Sequence, residues 1–222
     1  LYFLVSISFK GFAGDVIPED HVYSDKIKSI LFYAGPDGAV GVPIIPFDQN
    51  IRLILKFDEL SDNQEYFYYK IYHYNVDWTQ SYLSSNQYLS DFNEFRVEEG
   101  EMSFKTRISY FHYTVTIPKV KVSGNFLIKV YRNYDEEDLV LTRQFVVYEN
   151  IAPITALISR SANPADAFKK QQVNFEINYG RVNISNPYND VKVRVRQNFK
   201  NYNSINTLRP VFIKEYNKTL DY

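Results

Sequence analysis

The sequence predicts an all-β chain: an immunoglobulin/fibronectin-like β-sandwich followed by a second, incomplete β domain. Three observations carry this expectation. The 222 residues include 20 Tyr and 17 Phe, residue types that pack well on a pleated, half-buried surface. Apolar and polar residues alternate with period two in short runs bounded by turn residues. No stretch holds a helical period long enough for a regular helix. The length leaves room for one large or two small domains, and the expected units are residues 20–150 and 151–222, with the first closing near Glu149.

LYFLVSISFKGFAG, residues 1–14, is an apolar run that breaks at Lys10 and Gly11. It is far too short to span a bilayer. It reads as the remnant of a secretory signal, since the small residues Ala13 and Gly14 stand where cleavage would fall; a buried first strand is the other reading. The mature chain would then start near Asp15 and be exported. Nothing later is long and apolar enough for a membrane span.

IKSILFYAG, residues 27–35, is the first credible strand, closed by Pro36-Asp37-Gly38. IRLILKFDEL then alternates, with Ile51, Leu53, Leu55 and Phe57 on one face and Arg52, Lys56 and Asp58 on the other. After the turn Ser61-Asp62-Asn63 comes EYFYYKIYHYNVDW, residues 65–78, aromatic on both faces and ending in the one tryptophan. Phe67, Tyr69 and Ile71 point one way; Tyr66, Tyr68, Tyr72 and Tyr74 point the other. One face enters a core. The other is expected to lie under a loop or something outside the domain, a role tyrosine suits because its ring packs while its hydroxyl stays bonded.

Residues 79–100 fit no single helical period and read as a long loop with at most one short helical turn, anchored on that second face. Next, Phe111, Tyr113, Val115 and Ile117 oppose His112, Thr114 and Thr116 in a strand that Pro118 ends. Ser123 to Asn133 and Leu139 to Asn150 are expected to be hairpin partners about an acidic turn, Asp135-Glu136-Glu137-Asp138. Pro153 and Asn163-Pro164 mark a linker. QQVNFEINYG and VKVRVRQN read as strands, with Val173, Phe175, Ile177 and Val191, Val193, Val195 as their apolar faces. Too few strands follow, up to Tyr222, for a complete second sandwich.

A formal net charge of −1 argues against a chain built mainly to hold nucleic acid or anionic lipid. With no cysteine there is no disulfide scaffold, thiolate nucleophile or Cys-based metal site, and cysteine usage leaves the compartment open. His73 and Asp77 fall on one side of a strand, but no Ser stands in a nucleophile turn, so both read as structural or surface groups. Three scattered histidines make a poor metal set. The acidic run 135–138 lacks the alternating ligands of a calcium loop and reads as a solvated turn. Lys192, Arg194 and Arg196, with Arg181 and Lys200, have the charge to hold phosphate; a solvent-facing strand guarded against edge pairing is the plainer reading. No cofactor is implied. The aromatic set Tyr72, Tyr74, Trp78, Tyr82 and Tyr88 admits three readings: sugar stacking in a carbohydrate-binding module, a protein interface, or packing of the strand against its loop.

HYNVDWTQSYLSSNQYL and SFKTRISYFHYTVTIPKVKVSGNFLIKVYRNYDEEDLVLTRQFVVYEN resemble the N-terminal domain of the type IX secretion system plug protein family of Bacteroidetes. The likeness continues through ISNPYNDVKVRVRQN and NTLRPVFIKEYNKTLDY, so it covers nearly everything after about residue 20. The Asp-Trp pair, the SGN turn and the TRQF strand fall in the family's order. The family usually carries a cysteine before the Asp-Trp pair; Tyr74 stands there instead, so no thiol role carries over. The resemblance implies a non-catalytic, β-rich periplasmic protein, peripheral to the outer membrane, that closes the periplasmic mouth of an outer-membrane β-barrel translocon. It also implies a longer whole protein. Tyr74, Asp77, Trp78 and Tyr88 are the candidate partner-binding residues or their immediate support.

Overall fold

The computed structural model describes residues 18–36, 42–198 and 204–222. The expected signal remnant at residues 1–14, the turn residues Asp37 and Gly38, and Lys200 lie outside the described residues. The chain divides into two compact units after Tyr148.

The first unit holds β1 (His21–Val22), β2 (Ile27–Ala34), β3 (Ile44–Pro46), β4 (Leu53–Glu59), β5 (Phe67–Tyr74), α1 (Ser85–Tyr88), β6 (Phe95–Arg96), β7 (Glu101–Met102), β8 (Phe111–Ile117), β9 (Gly124–Arg132) and β10 (Asp135–Tyr148). One sheet runs β2-β4-β8-β7; the other runs β1-β10-β9-β5-β6, with β3 beside β10. All pairs are antiparallel except β3–β10, which is parallel. The order β2-β4-β8-β7 in one sheet and β5-β9-β10 in the other follows the strand order of an immunoglobulin-like sandwich.

Period-two patterning places the core. Phe67, Tyr69 and Ile71 of β5 face inward, as expected, opposite Leu55 and Phe57 of β4 and Tyr113 and Val115 of β8. Phe57, Phe67 and Tyr113 form a ring trio with centroids 4.8–5.4 Å apart, a spacing that aromatic quadrupoles favour. Ile51 precedes β4 rather than belonging to it.

Two expectations about the first unit are corrected. The β9–β10 reversal is made by Asn133 and Tyr134, both at positive φ (50° and 61°), the geometry of a tight two-residue hairpin turn. The acidic residues therefore lie within β10, where the register jumps from Asp135↔Arg132 to Leu139↔Tyr131. That bulge turns Glu136 onto the outer face of β5, where its carboxylate accepts hydrogen bonds from Lys70 and Tyr72. Second, the long loop after β5 contains β6 as well as the short helix α1.

The second unit comprises β11 (Ile154–Arg160), β12 (Gln171–Asn178), α2 (Pro187–Asp190), β13 (Phe212–Lys214), a 3-10 turn (Glu215–Asn217) and β14 (Thr219–Asp221), in sheet order β11-β12-β14-β13. Its core is small: Phe175, Ile177, Tyr179 and Leu220, with the Phe175 and Tyr222 rings stacked at 4.7 Å. Part of the expected linker is in fact strand β11. Conversely, residues 191–198 are not a strand. Among the described residues their one β-bridge is Val195↔Ile205, while Val191, Val193 and Val195 still pack on the core. Alternation selects which side chains turn inward; a strand also needs a neighbour along its whole length.

Candidate interaction surface

The aromatic strand ends in a turn that its own polar groups lock. Trp78 N–H donates to the Asn75 carbonyl at 3.0 Å, and Asn75 N–H to the Thr79 carbonyl at 2.8 Å. Asp77 Oδ1 accepts from the Thr79 amide (3.1 Å) and hydroxyl (2.6 Å). Those bonds hold the exposed Asp77 carboxyl below the usual carboxylate range. Asn125 of β9 donates to the Asn75 carbonyl, and Tyr74 bridges to Gln80 as the chain doubles back.

Trp78 sits at φ 63°, a region that costs a bulky residue roughly 1–2 kcal/mol relative to glycine or asparagine. Its half-buried ring lies 5.9 Å from that of Tyr74, which is itself buried. Val76 beside it is half exposed, and Tyr82 is fully exposed.

Of the four expected residues, the fold brings Tyr74, Asp77 and Trp78 together at this turn. Tyr88 lies elsewhere: its ring is in the core with Phe126, and its hydroxyl donates to the Ile71 carbonyl at 2.9 Å. It supports β5 rather than lining a surface. Asn93 does the same job next to it. Its Oδ1 accepts from Ile71 N–H (2.9 Å) and its Nδ2 donates to Ile71 C=O (2.7 Å), replacing a strand partner at the edge of β5. Asn93→Ala is expected to cost about 1–3 kcal/mol by orphaning that amide, seen as a lower melting temperature and faster hydrogen exchange at Ile71. Nothing in the sequence marked Asn93, because one asparagine among many gives no periodic signal.

The outer face of β5 is largely covered from within the unit. The Tyr134 ring stacks on Tyr68 at 3.7 Å. Tyr131 donates to Glu94 at 2.8 Å, and Lys129 places its ammonium 4.4 Å from the Tyr72 ring centre. Burial and the bond to Glu136 push the Tyr72 hydroxyl far above its ordinary value. Glu136 is thus a partner to this face, whereas Asp135, Glu137 and Asp138 stay exposed, as expected of them, though within β10 and not in the turn.

The remaining candidates resolve individually. His73 does not pair with Asp77; its Nδ1 lies 2.7 Å from Ser81 Oγ, and burial lowers its pKa. His112 pairs instead with Asp58 at 2.6 Å. Arg194 and Arg196 are half-buried, and Arg194 donates to Ser204, so they do not form the expected solvent-facing row. Among the described residues no acidic or histidine cluster could hold a metal ion, and no helix is long and apolar enough to cross a membrane.

The fold and the turn define a class: an immunoglobulin-like β-sandwich that presents a hydrogen-bonded Asp-Trp turn beside an aromatic strand. The model of the type 9 secretion system plug protein 1st domain matches residues 27–149, more than half of the chain, and the chain belongs to that family. That family takes its description from the type IX secretion system. A crystal structure of a hypothetical protein from Parabacteroides merdae is similar at 29% identity and a TM-score of 0.84, over 93% of this chain and 52% of that one. The chain thus spans about half the length of that relative. A DNA-bound alkylpurine DNA glycosylase AlkC from Pseudomonas fluorescens reaches only a TM-score of 0.31 at 9% identity, over 55% of this chain and 30% of that one. No curated protein matches.

Proposed function

We propose that this chain belongs to a non-catalytic plug subunit that docks on the periplasmic mouth of an outer-membrane translocon barrel and seals it. The observation that carries the reading is the family match over residues 27–149, which includes the locked turn. Docking by a rigid sandwich suits a seal, because a turn already held by its own hydrogen bonds loses little freedom on binding. Its polar and aromatic make-up suits a contact that must also release. Asp77 and Trp78 are the contact residues, Tyr74 backs the tryptophan ring, and Tyr88 holds the strand behind them. The carbohydrate reading needs several exposed flat rings, whereas Tyr74 and Tyr88 are buried and Tyr72 and Trp78 half-buried, which leaves Tyr82 as the one fully exposed ring of that set.

Affinity purification from a membrane-envelope extract tests the proposal: an outer-membrane barrel should come down with the protein. Trp78→Gly sharpens it. Glycine accepts the positive φ without strain, which offsets the lost Tyr74 contact, so stability should stay within about 1 kcal/mol of the wild type. Barrel capture should nevertheless fall at least tenfold, about 1.4 kcal/mol of binding. Undiminished capture by a folded Trp78→Gly protein would remove the turn from the interface.

A further inference from the structure

We propose that the β7–β8 hairpin tip is a membrane-surface anchor that inserts apolar side chains among anionic phospholipid headgroups. Residues 103–110 join β7, the edge strand of its sheet, to β8. Within seven positions they and β7 expose Met102 (60%), Phe104 (82%) and Ile108 (62%). Most large apolar side chains of the two facing sheets are instead buried in the core.

This exposure is built in. Ser103 N–H donates to the Tyr110 carbonyl at 2.8 Å, and Tyr110 N–H returns a bond to Ser103 Oγ at 3.0 Å. Thr106 donates to the Ile108 carbonyl at 2.9 Å and lies 2.9 Å from Ser103 Oγ. The tip is thereby held in one shape with its apolar side chains outward. Lys105 and Arg107 stand between them, both exposed, and neither forms an ion pair among the described residues. Lys105 rides over the Phe104 ring at 5.1 Å. The joining residues 103–110 carry two cations and no acidic residue, the exposed Glu101 of β7 being the nearest before them in sequence.

Apolar side chains interleaved with unpaired cations match the boundary between acyl chains and anionic headgroups. A protein partner fits less well. Three protruding side chains fall far short of the roughly 800 Å² per partner that a stable protein contact buries, whereas membrane attachment needs only a few inserted groups. The inference stands apart from the barrel-docking reading and does not depend on it.

Co-sedimentation of the 222-residue chain with vesicles tests it. Phosphatidylcholine vesicles containing about one-third phosphatidylglycerol should retain the protein, less so as salt rises, and pure phosphatidylcholine vesicles much more weakly. Phe104→Ser with Ile108→Ser should reduce partitioning at least tenfold. Lys105→Gln with Arg107→Gln should reduce it about fivefold for each charge lost. Both double variants should keep the wild-type melting temperature, because none of the four side chains is buried. Failure of the wild type to bind anionic vesicles overturns the proposal, as does unchanged binding by the double-serine variant. A marked fall in melting temperature would show the residues to be packing and would overturn it equally.

Discussion

Arg132→Met is expected to cost about 3–5 kcal/mol of stability, because it strands the Glu59 carboxylate inside the sandwich. Glu59 is fully buried, and its Oε1 accepts from Arg132 at 3.3 Å. Among the described residues its other oxygen has no hydrogen-bond partner. The guanidinium also donates to Ser24 (3.2 Å), pairs with Asp138 (3.2 Å) and sits 5.6 Å from the Phe67 ring centre. Burial raises the Glu59 pKa, and the Arg132 hydrogen bond only partly opposes it. The sign follows: a carboxyl whose folded pKa lies above its unfolded value favours folding most below the unfolded value, and this contribution fades as pH rises through the folded one. Removing Arg132 takes away the opposing interaction, so Arg132→Met should lose stability more steeply than wild type as pH rises from about 4.5. Urea melts at several pH values measure both effects. The double variant Arg132→Met, Glu59→Leu should be much closer to wild type than the single, since no charge is left buried. A single variant as stable as wild type at neutral pH would show that the pair is not what keeps Glu59 tolerable.

Gly124→Ala should destabilise by about 2–4 kcal/mol, for two separable reasons. Gly124 opens β9 at φ 151°, a conformation that L side chains rarely adopt. A Cβ there would also stand 2.2 Å from His73 Nε2. The imidazole cannot easily retreat, being held by Ser81 at 2.7 Å and set edge-on against the Phe126 ring at 5.1 Å. His73→Ala in the Gly124→Ala background should therefore recover the steric part and leave the backbone part. Thermal melts of the two single variants and the double variant separate them; no recovery in the double would assign the whole cost to the backbone. The SGN turn is thus explained by a close approach between neighbouring strands.

The strands legible in the sequence are those with strict alternation and a partner along their whole length. β8 keeps Phe111, Tyr113, Val115 and Ile117 buried because β4 lies along its whole length. Residues 191–198 alternate just as cleanly and still form no ladder, since among the described residues only Val195 makes a β-bridge. β11 shows the opposite failure. All seven of its residues are exposed, so burial never patterned it, and its backbone pairing with β12 alone makes it a strand. The hairpin was found but its reversal was misplaced by the acidic run, because Asn-Tyr lacks the glycine that usually marks two positive φ values.

The candidate surface divides along the same line. Asp77 and Trp78 were legible as neighbours in a short, distinctive pair. Tyr88 was legible only as one more aromatic in a serine- and asparagine-rich loop, and folding sent it into the core. The sequence by itself determined an all-β chain, the inward face of each well-alternating strand, the aromatic strand β5 with one face in the core and the family to which the chain belongs. Tertiary structure alone decided that Glu136, Tyr134 and Glu94 help cover that strand's outer face, that Tyr88 and Asn93 secure its edge, and that the Asp-Trp turn stays on the surface. The reason is physical: periodicity records which side of a strand avoids water, whereas a covering group is chosen by whichever distant segment brings a matching ring, charge or hydrogen bond.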